Sequence, residues 1–127
     1  MRSNDSHVVA ELQAIYSRYE TALVSNDVET LTNFFWKSPL ASRFGATENL
    51  YGFEEISNFR KRRAPANLAR TILRQDIVAL GPDHAQVSIE FERTIDGRRS
   101  LGRQTQLWVR FPEGWRIASA HVSFLPY

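Results

Sequence analysis

Partway along this chain the spacing of its apolar residues changes, and that change limits the fold more than any other feature. Before it, Val8, Val9, Leu12, Ile15, Tyr16, Tyr19, Ala22 and Leu23 recur at three and four positions, the spacing of one helix face. From Leu68 onward the period is two, the spacing of strands with one side buried. A chain that spends its helices first and its strands last folds as α+β, with the helices segregated to one side of a sheet.

The punctuation sets the elements. The first pattern predicts a helix of about five turns, interrupted at Ser25-Asn26-Asp27. Asn26 followed by Glu29 reads as a capping box that opens a second helix, with Leu31, Phe34 and Phe35 inward and a stop at Ser38-Pro39. Arg43-Phe44 and Leu50-Tyr51 read as two short strands joined through Gly45. A third helix runs from about Phe53 to Arg63, with Ile56 and Phe59 inward, and stops at Ala64-Pro65-Ala66. Four long strands follow, over about 69–80, 85–94, 99–111 and 115–124. Gly81-Pro82-Asp83, Asp96-Gly97 and Pro112-Glu113-Gly114 separate them, and Asp-Gly is a strong type I′ hairpin signal. The expected architecture is a curved antiparallel sheet packed by three N-terminal helices, a cone with a pocket at its open end. One domain over residues 1–127 accounts for the whole length.

Composition narrows the function classes. Hydrophobic residues are 43% and charged residues 24%, an ordinary globular balance. No cysteine is present, which removes disulfides and thiolate chemistry and fits a cytoplasmic location. No apolar run approaches the roughly 20 residues of a membrane span, and the N-terminus lacks the apolar core of a signal peptide. A net charge of +2 argues against nucleic acid as a partner. His7, His84 and His121 are scattered without ligand spacing, so no metal is expected. No glycine-rich phosphate loop follows a strand and opens a helix. The positive charge is almost entirely arginine, 14 residues against two lysines. Its densest run, Arg60-Lys61-Arg62-Arg63, reads as a solvated helix end that suits the helix dipole.

The stretch from Phe34 to Gly52 carries most of the functional information. It sets Arg43 among apolar and aromatic residues, and a buried guanidinium needs an anionic partner. That partner is either Glu48 across the short hairpin or an anionic ligand. On the later strands, Gln104, Gln106 and Trp108 share one face and Arg103, Thr105 and Leu107 the other. Only one face can look into the cone, and a bulge would change the phase, so spacing leaves both open. His121 and Ser123 share a face of the last strand, where the histidine is either a satisfied core residue or a ligand-orienting, proton-shuttling group. Trp36 and Tyr51 fit the mouth of such a pocket.

Several separated motifs carry a resemblance. Gly114-Trp115-Arg116-Ile117 with His121-Val122-Ser123 resembles the closing strand of the nuclear-transport-factor-two-like (SnoaL-like, cystatin-like) superfamily. Tyr19-Glu20-Thr21-Ala22-Leu23, Asn26-Asp27, Phe35-Trp36, Arg43-Phe44-Gly45, Glu48-Asn49-Leu50-Tyr51-Gly52, Phe59-Arg60 and Gly102-Arg103-Gln104-Thr105-Gln106 are similar to the AtzH and HpxZ proteins, small partners of cyanuric-acid and oxalurate catabolism. The resemblance implies a dimeric cone fold. For the AtzH members it also implies a cofactor-free decarboxylating amidohydrolase acting on 1,3-dicarboxyurea. It places a first-helix tyrosine and a first-strand arginine in the chemistry, which are Tyr19 and Arg43 here.

Loss of carbon dioxide from an N-carboxylate needs a grip on the carboxylate and a proton for the nitrogen. Arg43 can grip through its planar fork, and the Tyr19 phenol can donate or relay the proton. By spacing alone Tyr19 is equally a core tyrosine whose hydroxyl meets a backbone group. Tyr51, Gln106 and His121 complete the expected substrate-binding set beside Arg43. The rival reading keeps the pocket and drops the chemistry: a small-anion-binding or assembly module beside a ureide-degrading enzyme. Expected partners are a small anionic substrate, a second copy of the chain and an amidase of the same pathway, with no membrane. Apolar residues on both sheet faces, among them Val87, Ile89, Phe91, Leu107, Val109 and Ile117, point to a homodimer through the sheet.

Overall fold

The computed structural model describes residues 1–63 and 69–126. Helix α1 (Ser6–Val24) buries Val8, Leu12, Tyr16, Tyr19, Ala22 and Leu23 along one stripe. It ends in a Schellman motif: the Asn26 N–H donates to Leu23, the Asp27 N–H to Ala22, and Asn26 takes the left-handed φ of 53°. The N-cap expected at Asn26 therefore moves one residue on, without the reciprocal bond of a capping box, because the Asp27 N–H already donates to Ala22. Asp27 caps α2 (Val28–Asn33), accepting from the Thr30 N–H and hydroxyl. Asn26 suits the left-handed exit of one helix, which leaves the next residue to open the other.

Strands β1 (Ser42–Phe44) and β2 (Asn49–Tyr51) form the short hairpin, and α3 (Gly52–Arg62) follows at once. The expected stop at Ala64-Pro65-Ala66 and the onset of alternation at Leu68 lie outside the described residues. Strands β3 (Thr71–Ala79), β4 (His84–Ile95), β5 (Arg98–Phe111) and β6 (Gly114–Phe124) make the meander. Asp96 and Gly97 both have positive φ, 52° and 75°, as a type I′ turn requires.

The sheet has six strands in the order β2-β1-β6-β5-β4-β3. It is mixed, which corrects the all-antiparallel expectation: β1 runs parallel to β6, pairing Arg43 with Ala120. The helical stretch between β1 and the meander lets the chain return to the sheet edge in that direction. A register shift falls between Leu107 and Trp108 of β5, where β6 steps from Ser119 to Ile117. The extra residue lies in β6, whose buried phase passes from Ile117 to Ala120, while β5 keeps its alternation, and burial settles which β5 face is inward. Gln104, Gln106 and Trp108 turn inward with Val87, Ile89 and Phe91 of β4, whereas Arg103, Thr105 and Leu107 are exposed. One hydrophobic core joins residues of α1, α2, α3, β2 and the meander. No helix among the described residues is long and apolar enough to cross a membrane.

Candidate functional site

A cavity of about 160 Å³ opens between α1, the end of α3, the β1–β2 hairpin and the inner sheet face. It lies below the roughly 300–1,000 Å³ typical of sites for drug-sized ligands. Its lining includes Tyr19, Arg43, Glu48, Arg60, Arg63, Arg70, Arg93 and Gln104. Five guanidiniums thus share one small space with a single lining carboxylate.

The arginines arrive from several elements. Arg43 is the central residue of β1, and alternation turns it inward. Its Nη1 donates to Glu48 Oε1 at 2.7 Å, so the salt bridge that the sequence left open is present. Glu48 also accepts from the Thr47 hydroxyl at 2.6 Å. Burial works to raise the Glu48 carboxyl, but Thr47 and Arg43 outweigh it and hold the group below the usual carboxylate range. Gly45 permits this close packing, because a Cβ there would stand 1.8 Å from Glu48 Oε1.

Arg70, just before β3, makes a bidentate pair with Glu20 of α1, Nε to Oε2 and Nη2 to Oε1 at 2.7 Å each. Tyr16 and Gln104 close the network: the Gln104 amide donates to the Tyr16 hydroxyl, which donates to Glu20. Burial opposes the Arg70 charge, yet the Glu20 carboxylate raises its pKa above the ordinary value. Burial, then the Glu20 charge, pushes the Tyr16 phenol up. The Arg70 guanidinium also lies over the Phe91 ring, 4.5 Å from its centroid.

The solvated-terminus reading of the basic run holds for Lys61 and Arg62, which are exposed, and fails for Arg60 and Arg63, which turn toward the cavity. Arg60 is 1% exposed. The helical spacing of Ile56, Arg60 and Arg63 sets all three near one face of α3, and that face meets the cavity. The signal was in the sequence, but a basic helix end has the same pattern whether it meets solvent or a ligand.

Tyr19 is 2% exposed and packs against the Tyr16, Phe34 and Trp108 rings. Its hydroxyl accepts from Arg60 Nη2 at 3.4 Å.

The other expected site residues lie elsewhere. Tyr51 is 61% exposed, edge-on to Phe44 beside α3, because alternation turns it opposite to Leu50. His121 is exposed on the outer sheet face, where Phe44 covers one side of its ring. Gln106 points inward but is buried behind Trp108, accepting from the indole N–H at 3.0 Å. Trp36 stacks on Phe111 away from the cavity. No cluster of three His, Asp or Glu side chains suited to a metal occurs among the described residues.

A curled, unclosed mixed sheet wrapped on N-terminal helices, with a polar cavity between them, defines a cystatin-like, nuclear-transport-factor-two-like protein. A Pseudomonas putida protein of that class matches it with a TM-score of 0.83 at 14% identity, over 97% of this chain and 89% of that one. Two structures are much nearer. A Pectobacterium atrosepticum protein of unknown function shares 46% identity over 98% of this chain and 95% of its own, with a TM-score of 0.93. A cystatin-like fold protein from Burkholderia xenovorans shares 40% identity over 100% and 98%, with a TM-score of 0.91. The chain belongs to the AtzH-like family, whose model matches residues 1–127. None of the curated proteins compared with it matches.

Proposed function

We propose that this protein is a cofactor-free decarboxylating amidohydrolase whose substrate is a small carboxylated urea of the 1,3-dicarboxyurea type. Membership of the AtzH-like family supports the pathway class, that of cyanuric acid degradation. The observation that carries the reading is the meeting of a buried phenol with an arginine cluster in one cavity too small for a large ligand.

In the proposed reaction Arg43 grips a carboxylate with the edge of its fork that Glu48 leaves open. The bond between that carboxyl carbon and the urea nitrogen breaks. Its electron pair stays on nitrogen, spread into the adjacent carbonyl, and carbon dioxide departs. Tyr19 gives its proton to the nitrogen, and water restores the proton to the phenol. The net change is one proton consumed and one carbon dioxide released. Arg60, donating to the Tyr19 oxygen, balances the charge that passes through it.

The test is carbon dioxide release from freshly made 1,3-dicarboxyurea. Wild-type protein is expected to release it above the uncatalysed rate. Tyr19→Phe, which keeps the ring packing, should lose about a hundredfold or more, the usual scale for an acid–base group. Folded wild-type protein that releases none overturns the reading, as does a fully active Tyr19→Phe.

A further inference from the structure

The five guanidiniums of the cavity are not equivalent. Arg43 has Glu48, and Arg70 has Glu20. Arg60 and Arg63 have no carboxylate within ion-pair distance among the described residues. Among the described residues the Nε and Nη1 of Arg60 are buried without a hydrogen-bond partner, and so are the Nε and Nη2 of Arg63. Buried donors are nearly always satisfied, so each of these four nitrogens calls for an explanation.

Charge makes the arrangement more costly still. Burial lowers the pKa of Arg60; Tyr19 opposes the shift and the nearby positive charge of Arg43 adds to it. Burial, followed by the charges of Arg60 and Arg43, brings Arg63 down to about 10. Packing alone would put a Leu or Met at the Arg60 position. A fold that gathers like charges around an empty space, and leaves their donors open, is complementary to an anion.

We propose that Arg60 and Arg63 form a second anion subsite in this cavity, which takes the far carboxylate of a ligand whose first carboxylate sits on Arg43. The subsite makes the protein selective for dianions. A singly carboxylated ligand leaves the buried donors unpaired, and sites built on buried hydrogen bonds discriminate strongly against ligands that lack the group. This deepens the function proposed above and rests on it for the substrate, not for the binding geometry.

The binding can be tested without turnover. Glutarate has the same three-atom spacer between carboxylates as 1,3-dicarboxyurea and lacks the N-carboxylate bond. Butyrate keeps the chain with one carboxylate. Calorimetry on wild-type protein should give at least about tenfold tighter binding of glutarate, and glutarate should raise Tm. Arg60→Met should bring glutarate down to the butyrate level and leave butyrate unchanged. The Tm of the unliganded protein should hold or rise, since an uncompensated buried cation is removed. Arg63→Gln, at a less buried position, should lose part of the same preference.

No glutarate binding by wild-type protein, equal affinity for the two acids, or a glutarate preference that survives both substitutions overturns the proposal. So does an Arg60→Met protein that unfolds or melts far lower while Arg63→Gln keeps the preference, because Arg60 is then a structural brace. Wild-type protein that prefers glutarate but releases no carbon dioxide from dicarboxyurea keeps the subsite and discards the chemistry. Release of carbon dioxide with an unaltered preference in both variants does the reverse.

Discussion

Arg43 is asked to act both as a brace and as a grip, and the two can be separated. Its bridge to Glu48 is short and mostly buried, with side-chain exposures of 10% and 18%. Removing either partner leaves the other buried and unpaired, so a double-mutant cycle should give a coupling of about 0.5–3 kcal/mol between them. Since the Glu48 carboxyl lies below its ordinary value of 4.5 in the folded protein, its contribution is present above that pH and is lost as pH falls through the folded value. Thermal melts across the acid range should show this limb in wild-type protein and a flatter one in Glu48→Gln. Arg43→Lys keeps the charge but not the fork, so it should retain most of that stability and lose most of the activity. An Arg43→Lys protein that loses stability and keeps its activity per folded molecule would leave Arg43 as a brace only.

At the scale of elements, the change of period gave away the architecture, and single residues hid the site. The α1 stripe, the Asp-Gly hairpin and the four meander strands follow from alternation and turn chemistry, and they lie within a few residues of expectation. The direction of β1 did not follow, because a three-residue strand has no pattern that says which neighbour it joins. Tyr19 and Arg43 could be placed in the cavity, but Arg60 could not, since a buried cation and a solvated one occupy the same helical position in a sequence. Gly102 was quoted only as part of a motif, yet it holds the floor of the site. A Cβ there would stand 2.2 Å from the Phe91 ring, which lies beneath the Arg70 guanidinium. Gly102→Ala should push Phe91 into Arg70, cost about 1–3 kcal/mol as overpacking does, and weaken glutarate binding. Denaturant melts and calorimetry on this one variant check both effects, and an unchanged midpoint would show that Phe91 swings clear.

The whole molecule poses the question of what covers the outer sheet face. Val87, Ile89, Phe91 and Ile117 sit in the core of a single chain, so they do not supply the second apolar face on which a dimer was expected. The inner phase they share with Gln104 and Trp108 turns Gln86, Ser88, Thr105 and His121 outward, with Leu107 39% exposed among them. A homodimer through this face remains the proposed assembly. Its contact would be a ladder of amides and hydroxyls around Leu107, not an apolar seam. A stable contact of standard size needs about 800 Å² from each partner, which the breadth of β4, β5 and β6 can offer. Sedimentation at micromolar concentration should then give a dimer, and Leu107→Arg, placing like charges across the two-fold axis, should give a monomer. The cavity opens on the inner sheet face, opposite the proposed contact, so that monomer should keep its glutarate affinity. Wild-type protein that sediments as a monomer would remove the sheet-face dimer. A dimer that Leu107→Arg leaves intact would move the contact to another surface.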